Sequence, residues 1–172
     1  MIFTTKAEYG VRLLVELGCQ TRSDDDGAHS PVSLKAIAET QGLPLGYLER
    51  IVALLRKAGL VESTRGAHGG YRLARDPADI RMDEVVLALE GAVAPMTCFV
   101  DDTENGRVLC NHEADSGHGC ATKLLWTRVQ GGVVKALHST TLEDLVTFAQ
   151  RSSQTTFPLP DSASLPLAGP VA

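Results

Sequence analysis

The chain has 172 residues, of which 44% are hydrophobic and 22% are charged, and its net charge is −5. This composition predicts a globular protein with a real core, and no apolar run approaches the roughly 18 residues that a membrane span needs. The N-terminus lacks the basic and then apolar pattern of a secretory signal, so we expect a cytoplasmic protein, in which lasting disulfides are uncommon.

Three predicted helices open the chain. Apolar residues recur at helical spacing from Thr5 to Gln20, and Ser33 is placed to cap a second helix, "SLKAIAETQ". A third helix, "PLGYLERIVALLRKAG", starts near Pro44 and stops at Gly59. The next segment, "LVESTRGAHGGYRLA", consists of two strand-like runs around a glycine-rich turn. Two short helices followed by such a hairpin predict a winged helix-turn-helix.

The positive charge of the chain is concentrated in this module. Residues 44–75 carry six basic and two acidic side chains, a local net charge of +4 that leaves −9 for the rest. A basic module inside an acidic protein favours a focused nucleic-acid contact, although a solvated basic face would give the same count.

The second half of the chain alternates helices with a cysteine-rich stretch. "RMDEVVLALEG" predicts a short helix, and residues 92–119 show little helical periodicity. "ATKLLWTRVQGGVVKALHS" predicts a long helix, and "TTLEDLVTFAQR" predicts a closing helix capped near Thr141. The tail, residues 152–172, is rich in proline and is expected to be disordered. On the long helix an apolar stripe indicates a seam with a second chain, with packing inside one chain as the alternative; the stripe consists of Leu125, Val129, Val133 and Leu137.

A cluster of potential metal ligands lies before the long helix. Cys98 is followed by "CNHEADSGHGC", which begins at Cys110 and ends at Cys120. Thiolates bind iron–sulfur clusters and zinc alike, and His112 or His118 would complete a four-coordinate zinc site. A reversible disulfide is a further alternative. Cys19, in the first helix, is interpreted as a core residue.

Two segments resemble a known family. "TTKAEYGVRLLVELG" and "AIAETQGLPLGYLERIVALLRKAGLVESTRGAHGGYRLA" are similar to the bacterial winged-helix regulators that include IscR and NsrR, with the likeness covering roughly residues 1–149. The resemblance implies a homodimeric transcription regulator, such as a repressor, that binds a roughly palindromic operator. It also implies an iron–sulfur cluster, either 2Fe–2S or 4Fe–4S, held by the three loop cysteines. The gaps between these cysteines hold eleven and nine residues, wider than the family's usual five or so.

The resemblance also suggests a fourth cluster ligand. In the IscR branch the fourth ligand is a histidine three residues after the last cysteine, but that position is Lys123 here. The NsrR branch uses an acidic residue of the first helix that reaches in from the partner chain, which corresponds to Glu8. Another branch adds a histidine one turn later, where this chain has Arg12. Glu8 is therefore the favoured fourth ligand, and His112 and His118 are the alternatives.

The DNA contacts implied by the resemblance fall on three elements. Lys6 belongs to the first helix, and Arg65 and Gly66 begin the wing turn, where an arginine can enter the minor groove. The glutamate of the recognition helix can accept a hydrogen bond from cytosine N4. The implied contacts of that helix are Tyr47, Glu49 and Arg50. Pro44 and Gly46 stand where related proteins often have serine.

These inferences give a mainly α fold with a small β wing in four parts. Residues 1–91 form the winged helix-turn-helix domain, 92–119 the cluster or metal loop, 120–151 the dimerisation and closing helices, and 152–172 the tail. The expected function is sensing of iron–sulfur status, redox stress or nitric oxide. The alternatives are a zinc-binding or thiol-redox regulator, or a zinc-stabilised protein-interaction adaptor. The sequence has no phosphate-cradling glycine motif between a strand and a helix, so we expect no enzyme activity.

Overall fold

A computed structural model of the protein describes residues 3–23, 31–66, 69–91 and 121–151. The predicted cysteine loop and tail lie outside these residues. The described residues are mostly helical, and they include one antiparallel sheet of two strands. The predicted fold class is therefore confirmed. None of the described helices is long and apolar enough to cross a membrane.

The first three helices follow the sequence pattern closely. α1 spans Thr5–Ser23, α2 spans Leu34–Gln41 and α3 spans Leu45–Lys57. Gly42 ends α2 with φ 63° and ψ 37°, a left-handed conformation that glycine adopts without steric cost. Ser33 does occupy the N-cap position of α2, but its side chain makes no capping hydrogen bond. The helix-turn-helix is thus set by the glycine between α2 and α3 and by their apolar faces.

The wing is a two-stranded hairpin with a single bridging residue beside it. β1, Val61–Thr64, pairs antiparallel with β2, Gly70–Leu73. Val32 and Tyr71 exchange two backbone N–H···O bonds of 2.8 Å, so the segment before α2 adds to the edge of β2. A Cβ on Gly70 would lie 2.5 Å from the carbonyl oxygen of Val32. Glycine is required there by this close backbone approach, whereas the sequence had indicated only the needs of a tight turn.

Three further helices complete the described chain. After a turn of 3-10 helix at Pro77–Asp79 come α4, Met82–Glu90, α5, Ala121–His138, and α6, Leu142–Gln150. Thr141 caps α6 as predicted: its hydroxyl accepts from the Asp144 N–H, and the Asp144 carboxylate accepts from the Thr141 N–H at 2.8 Å.

The core joins α6 to the winged module but leaves α5 outside. Leu142 and Val146 of α6 are fully buried against α1, where a Cβ on Gly18 would lie 2.5 Å from Val146 Cγ2. α5 has no buried residue and packs mainly against α4. Its C-terminal end is held because Met82 N–H donates to Thr140 O at 3.0 Å and Leu142 N–H donates to Ile80 O at 2.8 Å. The core itself is built largely from α1, α3 and α4, with Leu13, Leu14, Leu17, Leu48, Ile51, Leu55, Val85 and Leu89 among its members.

Candidate functional site

The exposed face of α3 is the predicted recognition surface. Buried leucine, isoleucine and valine side chains occupy one side of this helix. At about 100° per residue, Gly46, Arg50, Ala53 and Lys57 lie on the opposite side, and all four are exposed. Glu49 is also exposed and lies on a flank of this face. α3 therefore presents a small-residue and basic surface that an approaching DNA groove can reach.

Tyr47 lies on the other flank and is half-buried. Its ring meets the ring of Tyr9 of α1 edge to face, with centroids 5.8 Å apart and planes at 86°. This geometry is the favoured one for aromatic pairs, because the positive ring edge faces the negative ring face. The contact fixes the position of Tyr47 on the flank of the recognition helix.

The predicted wing contacts are placed at the end of β1. Arg65 and Gly66 directly follow the strand and are exposed, and Gly66 has φ 119°. Residues 67 and 68, at the tip, lie outside the described part of the chain. Arg65 therefore projects from a rigid two-stranded base.

The structure separates the basic residues of this module into two groups. Arg72 is paired with Glu62 at 2.9 Å across the hairpin, and Arg75 is paired with Glu84 at 2.8 Å. The other cations have no ion-pair partner among the residues that the structure describes; they are Arg50, Arg56, Lys57 and Arg65. The positive charge that remains available to an anionic partner is thus on α3 and the wing base.

The start of α1 is tied to the end of α4 by one carboxylate. Glu90 accepts hydrogen bonds from the Thr4 hydroxyl and from the Ala7 N–H, the latter at 3.2 Å. Lys6, predicted to contact DNA, has its Nζ 4.0 Å from the same carboxylate and is one-third exposed. No sequence pattern indicates this role of Glu90, because the residues it joins are more than 80 positions apart.

Glu8, the favoured fourth ligand, is exposed, and among the described residues its carboxylate has one long ion pair, 3.9 Å, with Arg12. Arg12 is held elsewhere, because it donates to the Gln41 backbone carbonyl at 2.7 Å and to the Gln41 side chain at 3.2 Å. Glu8 also lines an open, largely apolar groove of about 500 Å³ with Val86 of α4 and Leu137 of α5. The carboxylate is therefore available to an incoming group.

The proposed thiol and imidazole ligands cannot be placed, since Cys98, Cys110, Cys120, His112 and His118 all lie outside the described residues. Cys120 directly precedes α5, which begins at Ala121. Within residues 3–23, 31–66, 69–91 and 121–151, no three His, Cys, Asp or Glu side chains come together as a metal site. Cys19 is partly buried and packs against the core.

The predicted dimer stripe divides between two environments. Leu125 is 55% exposed, as is its neighbour Leu124 at 59%. Leu137 packs against the core of its own chain, and Val129 and Val133 are half-buried. Nothing lies within 4 Å of a Cβ built on Gly131 or Gly132. The N-terminal half of α5 is thus the part with an apolar surface left open.

A hydrogen bond that the sequence did not indicate joins α5 to α4. His138 Nδ1 lies 2.7 Å from Asp83 Oδ2. Partial burial alone would raise the pKa of Asp83, but the hydrogen bond from His138, the Glu84 N–H and the nearby Arg81 hold this pKa below its usual value. The pKa of Glu84 is likewise lowered: burial opposes ionisation, but hydrogen bonds from Arg75 and the Arg81 N–H outweigh it. The two carboxylates anchor the start of α4.

Comparison with known proteins agrees with this architecture. The family described as Rrf2, iron-dependent transcriptional regulator, matches residues 3–147. Protein rrf2 of Nitratidesulfovibrio vulgaris is 39% identical over 146 residues, which cover 85% of this chain and 87% of that protein. The solved structure of CymR, the global cysteine regulator of B. subtilis, is 36% identical with a TM-score of 0.66, covering 85% of this chain and 96% of the other. The structure of T. potens IscR is 35% identical with a TM-score of 0.66, covering 90% and 93%.

The family description names transcriptional regulators, and the CymR structure is titled as that of a regulator, so the predicted family is confirmed. The chain belongs to the Rrf2 family of DNA-binding transcription regulators.

Proposed function

We propose that the protein is a homodimeric regulator, acting on operator DNA in the cytoplasm, whose affinity for that DNA responds to a cysteine-ligated iron–sulfur cluster. The observation that carries the sensor part is the position of the cysteines. Cys98, Cys110 and Cys120 fall between the end of α4 at Glu90 and the start of α5 at Ala121. A group bound by all three would therefore link, through the chain, the end of α4 to the start of α5.

The DNA-binding part rests on the exposed charges of α3 and the wing. Arg50 and Arg65 are exposed and have no ion-pair partner among the described residues, so both are free to bind DNA. Glu49 supplies discrimination, because a carboxylate accepts from cytosine N4 and repels acceptor groups of other bases. Two copies related by a twofold axis would read a roughly palindromic operator.

The homodimer is supported by the surface of α5. An 18-residue helix with no buried residue, but with Leu124 and Leu125 more than half exposed, leaves apolar area that a second chain can cover. The open positions at Gly131 and Gly132 would let another helix approach closely. Dimerisation is therefore expected to involve the N-terminal and central parts of α5.

The length of α5 favours a fourth ligand from the partner. Glu8 shares its groove with Leu137, at the C-terminal end of α5. Cys120 precedes the other end, and Ala121 lies about 24 Å from Leu137 along the axis at about 1.5 Å per residue. The start of α5 is therefore far from the Glu8 groove of the same chain. If two α5 helices pack antiparallel, the Cys120 of one chain comes to the Glu8 groove of the other.

The donor set fits an iron–sulfur cluster. Three thiolates suit the soft iron sites, and a carboxylate is a harder and weaker ligand that would leave one iron open to a small signalling molecule. Zinc is the alternative, with His112 or His118 completing four ligands. A thiol-redox sensor is the second alternative, since two of the three loop cysteines could form a reversible disulfide.

Anaerobic purification tests these choices, with visible spectroscopy and with iron, sulfide and zinc analysis of the same sample. We expect a coloured protein that contains iron and acid-labile sulfide and that shifts a duplex selected from a random library. A colourless protein with stoichiometric zinc and no sulfide would contradict the cluster. A metal-free protein whose DNA binding changes with thiol oxidation would favour the thiol-redox sensor.

A further inference from the structure

A cleft between the end of the recognition helix and the first wing strand lies apart from the DNA contacts proposed for Glu49, Arg50 and Arg65. It has a volume of about 530 Å³, and its α3 wall carries Arg56 and Lys57. Its β1 wall carries Glu62 and Ser63. The cleft is open to solvent and lies beside the exposed face of α3. It can therefore receive a group from a molecule that docks on that face.

The cleft has an excess of available positive charge. Arg56 and Lys57 are exposed, and neither has an ion-pair partner among the described residues. The only acid in the walls, Glu62, is bound by Arg72 at 2.9 Å. The cleft thus offers two free cations and one neutralised carboxylate, so it favours an anion.

Cations at a helix C-terminus also have a purely local use, since they stabilise the negative end of the helix dipole. Here three of the last four carbonyls of α3 already accept backbone hydrogen bonds. The N–H groups of Ala58, Gly59 and Leu60 donate to the carbonyls of Leu54, Arg56 and Leu55, each at 3.0 Å. The side chains of Arg56 and Lys57 are not needed for this capping, and the negative end of α3 is partly shielded from an incoming anion.

The position of the cleft relates it to the groove that α3 would enter. Lys57 lies seven residues beyond Arg50 on the same face, about 10 Å along the helix. The N-terminal part of a recognition helix contacts the base edges, so a side chain about 10 Å further along the helix than Arg50 lies toward the margin of the groove. At that distance the nearest anions are the phosphates that border the groove.

We propose that the α3–β1 cleft holds one backbone phosphate of the operator, bound by the Arg56 guanidinium and the Lys57 ammonium with the Ser63 hydroxyl as a further donor. This inference rests on the proposed DNA binding and adds a contact to it. A phosphate carries no base identity, so the contact positions α3 without selecting sequence. Its signature is therefore a change in affinity and salt dependence with no change in base preference.

The test uses the full chain and a duplex that the wild type selects from a random library, with a scrambled duplex beside it. Binding is measured against salt concentration for Arg56→Ala, Lys57→Ala and the double variant. Each lost phosphate contact should reduce the magnitude of the slope of log K against log salt by about 0.9. It should also lower the affinity for both duplexes by a similar factor, roughly three to ten at low salt. Lys57→Arg should have the wild-type slope, because the positive charge is retained.

Arg75→Ala is the matched control, because Arg75 is exposed but paired with Glu84 at 2.8 Å. Its slope should equal that of the wild type. Wild-type slopes in both single variants would overturn the phosphate site and leave the proposed function standing. A loss confined to one duplex would mean a base contact and would also overturn it. A wild type that binds no duplex would overturn the proposed function and this inference together.

Discussion

The ring of Tyr9 on α1 packs edge to face against the ring of Tyr47 on the recognition helix, with centroids 5.8 Å apart. One position before Tyr9 stands Glu8, the favoured fourth ligand, and two positions after Tyr47 stands Glu49, the proposed base contact. The aromatic pair is therefore a direct contact between the helix that carries the favoured fourth ligand and the helix that carries the proposed base contact. A displacement of α1 would therefore shift α3 through this contact.

The first prediction concerns this pair. Replacing both rings by leucine, singly and together, should give a coupling free energy of about 1 kcal/mol in the free energy of unfolding, the usual worth of an edge-to-face pair. Urea unfolding of the four proteins measures it. Phenylalanine at position 9 keeps the ring and should retain the coupling. Additive leucine effects would show that the two rings do not stabilise each other.

The second prediction concerns base preference. Glu49→Ala should relax selection at one position in each half-site, because the carboxylate that accepts from cytosine is lost. Selection from a randomised duplex library measures this. Glu39→Ala is the control, since Glu39 is equally acidic but lies on α2 near Lys35, 3.9 Å away. Identical sequence logos for the wild type and Glu49→Ala would remove the specificity role.

The third prediction separates the two ends of the α5 stripe. Leu125→Glu should give monomers with little change in the free energy of unfolding per chain, because Leu125 is 55% exposed within one chain. Leu137→Glu should instead destabilise the fold itself by roughly 2 kcal/mol or more, because Leu137 packs on the core. Light scattering and thermal unfolding measure the two effects. A dimer that persists in Leu125→Glu would exclude this part of α5 from the seam.

Some features of the fold could be predicted from the sequence and others could not. Helical periodicity, with Gly59 and Thr141 marking helix ends, predicted six helices and a hairpin near their observed limits. These signals involve residues that are close together in the sequence, so a single sequence shows them. Contacts between distant segments leave no such pattern in the sequence. The hydrogen bond of His138 with Asp83 and the cap that Glu90 provides for α1 were therefore missed. The same reason explains why α6 was not expected to pack on α1.

The fourth prediction concerns stability in acid. The folded-state pKa of Asp83 lies below its usual value of 3.8, because His138 and the Glu84 N–H bind the ionised form. The folded state then holds fewer protons than the unfolded state, so this stabilisation is present above pH 3.8 and is lost as the pH falls through the lowered pKa. Asp83→Asn should flatten the fall in unfolding free energy between about pH 5 and pH 2. Urea midpoints measured across that range test it, and an unchanged pH profile would contradict the role of Asp83.

The last prediction concerns the cluster ligands. Cys→Ala at position 98, 110 or 120 should abolish retention of iron and sulfide, because each removes a thiolate. Glu8→Ala should weaken retention or change the visible spectrum, whereas Cys19→Ala, at a site packed on the core, should leave the spectrum unchanged. His112→Ala and His118→Ala test the alternatives. If either empties the site while Glu8→Ala keeps the wild-type spectrum, the loop closes on its own histidine.

A mixed dimer decides which chain supplies the carboxylate. One chain carries Glu8→Ala and a purification tag, and the other carries Cys120→Ala and a different tag. If Glu8 serves the partner's cysteines, the mixed dimer contains one complete site, formed by the thiolates of the first chain and the Glu8 of the second. If Glu8 serves its own chain, both sites are defective. We expect tandem purification to yield about half the wild-type iron and sulfide per dimer, with the wild-type spectrum. A mixed dimer that retains no more cluster than the two homodimeric variants would show that Glu8 is not contributed across the interface.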